Sequence, residues 1–191
     1  MSIESCPVKR TMDLVLALLA LLVLSPVLLL AAAGVVAHDG FPVLFRQTRM
    51  GQGGRAFAML KFRSMVKNAA TIGPYFTAGD DPRITPVGRF LRRTSIDELP
   101  QLINVLLGHM SLVGPRPDVP AQRALYTDAQ WRERCMVRPG ITGLAQALLR
   151  SAGTDQQRLE LDLRYVREQS MWLDLKIMLW TLGRLSGKGA N

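Results

Sequence analysis

Blocks of lysine and arginine are missing from this chain, tyrosine and tryptophan occur three times each, and cysteine occurs twice, at Cys6 and Cys135. Each scarcity narrows the options. Without basic blocks or a supply of stacking rings a base-binding surface has little to be built from, so nucleic acid is not expected as a partner. Two solitary cysteines offer no metal-type spacing and demand no disulfide. No internal repeat is visible. No Walker-type lysine follows the glycine cluster Gly51-Gln52-Gly53-Gly54, which therefore reads as a loose turn rather than a phosphate loop. Acidic residues are outnumbered, 15 against 24, for a formal charge of +9. Lys9 and Arg10 cancel Glu4 and Asp13 over residues 1–37, so the whole excess lies in residues 38–191. Of the 24 cations, 19 are arginine, whose planar fork suits phosphate. An anionic lipid or a phosphorylated substrate fits that balance, and 191 residues give one domain with room for a core.

What the chain does contain begins with Leu14 to Ala37, an uncharged run of 24 residues. About 20 suffice to span a bilayer as a helix. Ser25-Pro26 interrupts the run, with eleven apolar residues on each side. Pro26 cannot donate to the Leu22 carbonyl and its ring clashes there, while Ser25 can relieve the freed carbonyls. Each half is then about 16 Å long, half of a ~30 Å hydrocarbon core. Basic residues flank both sides, Lys9 and Arg10 before, Arg46, Arg49 and Arg55 after. A re-entrant helix that leaves by the face it entered satisfies both flanks under the positive-inside rule, and is preferred to a straight span. A signal peptide is the third reading, disfavoured by the length of the apolar stretch.

Val43–Arg46 and Phe57–Arg63 read as strands of a hairpin around the glycine cluster. Lys61 and Arg63 then share one strand face, either an anion-binding edge or a solvated side. Asn68 to Gly88 is loop, with Gly73-Pro74, Gly79-Asp80-Asp81-Pro82 and Thr85-Pro86. Next come Asp97 and Glu98 before Pro100 and the stripe Leu99, Leu102, Ile103, Leu106 and Leu107. The expected helix starts near Asp97, so both acids sit at its positive end, where carboxylates stay ionised and phosphate binds. Ser95 with Glu98 also fits a capping box, so the acids are either a cap or, because neighbours on a helix face different ways, two groups with separate roles. Gly114-Pro115-Arg116-Pro117 is a rigid phosphate clamp or a surface turn. Thr127 with Gln130 caps a short helix through Met136, and Arg138–Gly143 is a turn-rich return. A long helical pattern from Leu159 to Leu185 carries Trp172 and Trp180 with Lys176 and Arg184, as an interfacial or a core helix.

Taken together, Lys9-Arg10-x-x-Asp13 before the broken apolar run, Lys61-Phe62-Arg63-Ser64-Met65, Asp81-Pro82-Arg83-Ile84-Thr85, Leu91 to Val105, Met110 to Pro117, Arg138 to Gln146 and Asp162-x-x-Tyr165 resemble the bacterial sugar transferase family, monotopic phosphoglycosyl transferases. The match runs in order from Lys9 to about Thr181. It implies an α+β, mainly helical fold: a monotopic membrane protein with a re-entrant helix broken at Ser25 and Pro26, a small β-hairpin and interfacial amphipathic helices. The expected organisation is a membrane helix at 1–38, a cytoplasmic catalytic domain at 39–185 and a flexible tail at 186–191, the minimal form of the family. The resemblance further implies transfer of a phosphosugar from a UDP-sugar to undecaprenyl phosphate, by a ping-pong reaction through an aspartyl phosphosugar, with Mg²⁺, at the cytoplasmic face of the bacterial inner membrane. On that basis Asp97 is the nucleophile and Glu98 its partner and metal ligand. Lys61, Arg63, Arg92 and Arg116 hold phosphate, and Pro115, Pro117, Asp162 and Tyr165 give structural support. His109 and Pro86 depart from the family pattern and bear on sugar choice or loop shape. A second copy of the chain or downstream glycosyltransferases are open as further partners, alongside the bilayer. The competing readings are a catalytically silent scaffold of the same fold and a basic, membrane-anchored binding module.

Overall fold

The computed structural model describes residues 7–73, 81–149 and 153–185. The expected loop signals at Pro74, Gly79 and Asp80 and the expected tail at 186–191 lie outside the described residues. Helices α1 (Pro7–Val23) and α2 (Ser25–Asp39) meet with a 62° bend. The cause is local. Pro26 has no N–H for the Leu22 carbonyl, and the Ser25 hydroxyl donates to that carbonyl instead, at 2.8 Å. Among the described residues no single helix is long and apolar enough to cross a membrane, while the bent pair meets that test together.

Small residues on one face of the pair let it pack. Ala17 joins Met59, Leu102, Val105 and Met110 in one apolar cluster, and Ala31 and Val35 join Phe62 and Leu91 in another. Leu18, Leu19, Leu22, Leu29 and Leu30 on other faces stay exposed. The basic pair before the run is not a free flank. Lys9 is buried, and its ammonium donates to Asp174 Oδ2 at 2.5 Å and to the Val113 carbonyl at 3.3 Å. Arg10 donates to the Val105 and Leu106 carbonyls at 2.8 and 3.3 Å. Asp13 accepts from Ser111 Oγ and the Leu112 N–H. Charges bonded inside the protein cannot orient a helix in a bilayer, so the positive-inside argument loses Lys9 and Arg10.

Strands β1 (Leu44–Met50) and β2 (Ala56–Phe62) form the expected antiparallel hairpin, with Phe45 opposite Lys61 and a 3-10 turn at Gln52–Gly54. Helix α3 (Ala69–Ile72) follows, then α4 (Pro86–Arg93), whose first N–H groups are met by Thr85: its hydroxyl accepts from Gly88 N. Pro86 fills the first helical position, where a missing N–H costs nothing. At Gly88 a Cβ would lie 1.9 Å from the Ser64 carbonyl oxygen, so glycine alone lets α4 cross the end of the hairpin at backbone contact.

After α5 (Gln101–Leu106) the chain enters β3 (Ser111–Val113), crosses through α6 (Asp128–Arg134) and returns as β4 (Gly140–Thr142). The return segment is thus more than a turn: β4 pairs with β3 in parallel. A Cβ on Gly140 would lie 2.1 Å from Gly114 N, and this close approach brings β4 against the segment that follows β3. Helix α7 (Leu144–Leu149) precedes α8 (Asp155–Glu168) and α9 (Met171–Leu185). The single long helix expected from Leu159 to Leu185 is two helices. Gln169 leaves helical geometry, and Ser170 Oγ accepts from Leu173 N to start the second. Asp174 and Ile177 of α9 are buried, whereas Trp172, Leu175, Leu179, Trp180 and Leu182 are exposed, with the Lys176 ammonium 5.3 Å from the Trp172 ring centroid. One face of α9 is therefore core and the opposite face is exposed.

Candidate active site

Asp97 and Glu98 lie in a 3-10 turn, Ile96–Glu98, between α4 and α5. The expected capping box does not form. Ser95 is left-handed (φ 58°) and makes no capping bond, because it closes the end of α4, where its N–H donates to the Arg92 carbonyl. A residue with a Cβ is strained there. Helix α5 begins only at Gln101 and has six residues, so the acids sit outside its first turn and its dipole is not what sets their charge.

Their surroundings differ. Glu98 Oε1 accepts from Lys61 Nζ and from Arg116 Nη2, each at 2.7 Å. Burial pushes Glu98 up, but Arg116 and Lys61, by charge and hydrogen bond, outweigh it and hold the carboxyl at about 2. Burial likewise lowers Lys61, with Glu98 pulling the other way. Asp97 is 7% exposed, and among the described residues its carboxylate makes no hydrogen bond or ion pair. Burial therefore dominates and pushes it above the ordinary range, opposed by Lys61 and raised further by Glu98. One acid is tied down by two cations; the other is bare.

Both acids line a cavity of about 630 Å³ together with Arg49, Lys61, Arg63, Arg92 and Arg116. Lys61 reaches it because β2 alternates its side chains. Arg92 enters from α4, where its Nε donates to Ser64 Oγ at 2.8 Å. Arg63 is buried, and one fork nitrogen donates to the Asp39 and Gly40 carbonyls at the end of α2, at 3.0 and 2.6 Å. Nη2 also pairs with Asp39 Oδ2 at 3.0 Å, and Nη1 is buried without a hydrogen-bond partner among the described residues, so the Arg63 fork is committed to the end of α2. Arg116 lies between two prolines, Pro115 and Pro117, both buried.

Asp162 and Tyr165 lie away from the cavity. Asp162 Oδ2 accepts from Arg134 Nε and Nη2; burial pushes its carboxyl up to about 6 against the pull of Arg134. The Tyr165 hydroxyl donates toward the Val113 carbonyl and Asp174 Oδ1 at 3.0 and 2.7 Å, at the end of the strand that leads to Arg116.

Other residues matter that the pattern did not single out. Asn104, 1% exposed, donates from Nδ2 to the Ala58 carbonyl at 2.8 Å and accepts from Leu60 N at 2.9 Å. Its amide thus mimics the next strand of the hairpin and fixes α5 against the strand that carries Lys61. The signal in the sequence is an amide, as at Gln101, inside the apolar stripe around Leu102 and Val105. Arg49 donates to the Pro117 carbonyl at 2.9 Å; burial, then Arg116, lowers its guanidinium to about 10.

Among the described residues no group of three His, Cys, Asp or Glu side chains could hold a metal. A magnesium ion does not need one, since it commonly takes one or two carboxylates and fills its octahedron with phosphate oxygens and water. The bare Asp97 carboxylate and the unbonded Oε2 of Glu98 fit that requirement.

A family model described as bacterial sugar transferase matches residues 4–188. Among curated proteins, the UDP-glucose:undecaprenyl-phosphate glucose-1-phosphate transferase of Escherichia coli (strain K12) is 46% identical over 183 residues, covering 91% of this chain and 39% of the relative. The protein of the same name from Caulobacter vibrioides is 46% identical over 187 residues, covering 93% and 69%. The UDP-N-acetylgalactosamine-undecaprenyl-phosphate N-acetylgalactosaminephosphotransferase of Aeromonas hydrophila is 41% identical over 194 residues, covering 96% and 45%. The chain thus spans less than half the length of two of these three relatives.

Proposed function

The chain belongs to the bacterial sugar transferase family, and we propose that it moves a sugar phosphate from a UDP-sugar to undecaprenyl phosphate by way of a covalent intermediate on Asp97. The observation that carries this reading is the asymmetry of the acid pair: a bare, buried carboxylate beside one clamped by Lys61 and Arg116, in a cavity lined by cations. The names of the relatives supply the substrate class.

In the first half-reaction an Asp97 carboxylate oxygen attacks the sugar-bearing phosphorus of the UDP-sugar. A P–O bond forms to Asp97, the bond from that phosphorus to the bridging oxygen breaks, and UMP leaves with the oxygen and its electron pair. In the second, an oxygen of undecaprenyl phosphate attacks the same phosphorus. The Asp97–phosphorus bond breaks, the carboxylate is restored, and undecaprenyl diphosphate sugar is released. Each step brings an anion against an anion, so the barrier is set by charge neutralisation. Lys61 and Arg116 supply it from the side of Glu98, and Arg92 offers a further cation at the cavity wall. Asp97 and Glu98 Oε2 would hold Mg²⁺, which when bound neutralises diphosphate charge. Asp97, unpaired among the described residues at the cavity wall, has an oxygen to present to the phosphorus, while Glu98, held ionised, keeps the two cations in place.

A membrane position follows from the lipid substrate. The exposed apolar residues of α1 and α2 and the Trp172–Trp180 surface of α9 fit burial in one leaflet, with the bent pair re-entrant and the cavity at the cytoplasmic face of the bacterial inner membrane. The test of the reaction is a screen of UDP-sugars with undecaprenyl phosphate and Mg²⁺, read as UMP released. Release from at least one sugar, dependent on the lipid phosphate for multiple turnovers, is expected; none from any sugar contradicts the assignment.

A further inference from the structure

The segment that carries Arg116 is held by its backbone to an unusual degree. Four successive carbonyls each accept a hydrogen bond from elsewhere in the chain: Pro115 from Gly140 N at 2.9 Å, Arg116 from Arg134 Nη2 at 2.6 Å, Pro117 from Arg49 Nη1 at 2.9 Å, and Asp118 from Met50 N at 2.9 Å. Two of the four donors are backbone N–H groups that the strands supply in any case. Arg49 lines the cavity itself. Arg134 does not line it.

Arg134 is 7% exposed on α6. Nη1 donates to Asp118 Oδ2 at 2.5 Å, Nε and Nη2 donate to Asp162 Oδ2 at 3.0 and 2.8 Å, and the guanidinium carbon lies 5.5 Å from the Tyr126 ring centroid. The fork therefore joins three parts of the chain, the Arg116 segment, α6 and α8, around two buried carboxylates. A buried cation with two carboxylates is a costly way to fill space, because desolvation offsets most of the Coulomb gain. What the arrangement supplies is direction: a planar fork aims one N–H at the Arg116 carbonyl while its other donors are fixed by aspartates. The Arg116 side chain itself is 44% exposed, so its aim at Glu98 and the cavity depends on its backbone.

We propose that Arg134 is a positioning residue for the transfer reaction, holding the Arg116 carbonyl so that the Arg116 guanidinium stays fixed on the diphosphate. This rests on the reading of Arg116 as a phosphate clamp. Arg134 touches no substrate; it acts through Arg116, and that dependence is what the test reads. Lysine keeps the charge but has neither the fork nor the number of donors, so Arg134→Lys frees the Arg116 carbonyl or one of the aspartates.

The experiment is a double-mutant cycle on the full chain in detergent micelles, combining Arg134→Lys with Arg116→Ala. Two quantities are measured for each variant: kcat/KM for UMP release, and the affinity for inorganic pyrophosphate without Mg²⁺ by calorimetry. Arg134→Lys is expected to lower kcat/KM by roughly tenfold to a hundredfold, the scale of a small misplacement at a catalytic group, and to weaken pyrophosphate binding. In the Arg116→Ala background the same substitution is expected to change either quantity by less than about twofold. Equal losses in both backgrounds, near-normal kinetics of Arg134→Lys, or no pyrophosphate binding by the unsubstituted chain would overturn the proposal. Should Arg134→Lys fail to fold, Asp162→Asn, which keeps shape and removes the charge that orients the fork, runs through the same cycle with the same expectations. A chain that binds pyrophosphate with this coupling yet releases no UMP from any UDP-sugar overturns the reaction and leaves the positioning role standing.

Discussion

Replacing Asn104 with leucine removes two hydrogen bonds at once while keeping the branched outline of the side chain, with two bulkier methyl groups in place of the amide. Asn104 is 1% exposed, and its partners are the Ala58 carbonyl and the Leu60 N–H of β2. Both backbone groups point away from β1 and have no second strand to pair with. A buried donor or acceptor left unpaired costs about 1–3 kcal/mol. The bonds here are only part-buried, so water can relieve some of the loss, and the low end applies: about 2–3 kcal/mol for the pair. With a urea slope near 2 kcal/mol/M, the midpoint should fall by roughly 1–1.5 M, measured by tryptophan fluorescence in micelles. Turnover should fall as well, because α5 and β2 together set the distance from Glu98 to Lys61. Asn104→Asp adds a sign test. At neutral pH its carboxylate faces the Ala58 carbonyl and destabilises at least as much as leucine; on acidification the protonated acid can donate to that carbonyl and part of the stability should return. A midpoint shift below about 0.3 M for Asn104→Leu, with normal turnover, would refute the idea that this amide fixes the helix to the strand.

Glu98, held at about 2 in the folded chain against 4.5 in a free side chain, contributes stability that is fully present above about pH 4.5 and is lost as pH falls through about 2. The shift corresponds to roughly 3 kcal/mol, so unfolding midpoints of the unsubstituted chain should drop more steeply across that window than those of Glu98→Gln; parallel curves would contradict the cation clamp. Gly140→Ala places a Cβ about 2.1 Å from Gly114 N, and should give a chain that is destabilised by several kcal/mol or insoluble; wild-type thermal stability would mean the β3–β4 contact is looser than described. For topology, Thr11→Cys and His38→Cys in a background without Cys6 and Cys135 should both react with an impermeant thiol reagent from the cytoplasmic side of inverted vesicles. Labelling from opposite sides would replace the re-entrant pair with a span.

Features with a local physical cause were legible in the sequence. Proline after serine breaks the apolar run, a glycine cluster between alternating residues closes the hairpin, and Thr127 with Gln130 caps α6. Misreadings arose where local signals compete with distant partners. Ser95 and Glu98 have the spacing of a capping box, yet Ser95 is needed to end α4 and Glu98 is captured by two cations from other segments. Lys9 looks like a membrane flank until Asp174, far along the chain, takes its charge. Parallel pairing of Ser111–Val113 with Gly140–Thr142 leaves no periodic trace, because three-residue strands are too short to show one. The acid pair itself stood out by composition. What separates its members, one bare and one clamped, depends on Lys61 and Arg116, whose approach no spacing encodes.

The covalent role of Asp97 is tested most directly by intact-mass measurement of the full chain after incubation with its UDP-sugar and Mg²⁺, with undecaprenyl phosphate left out. A mass increase of one phosphosugar is predicted, located to the peptide containing Asp97, discharged when the lipid phosphate is added, and missing from Asp97→Asn. An unmodified chain that still releases UMP only when undecaprenyl phosphate is present would mean direct transfer between the two substrates, and would contradict the assignment of Asp97 as nucleophile.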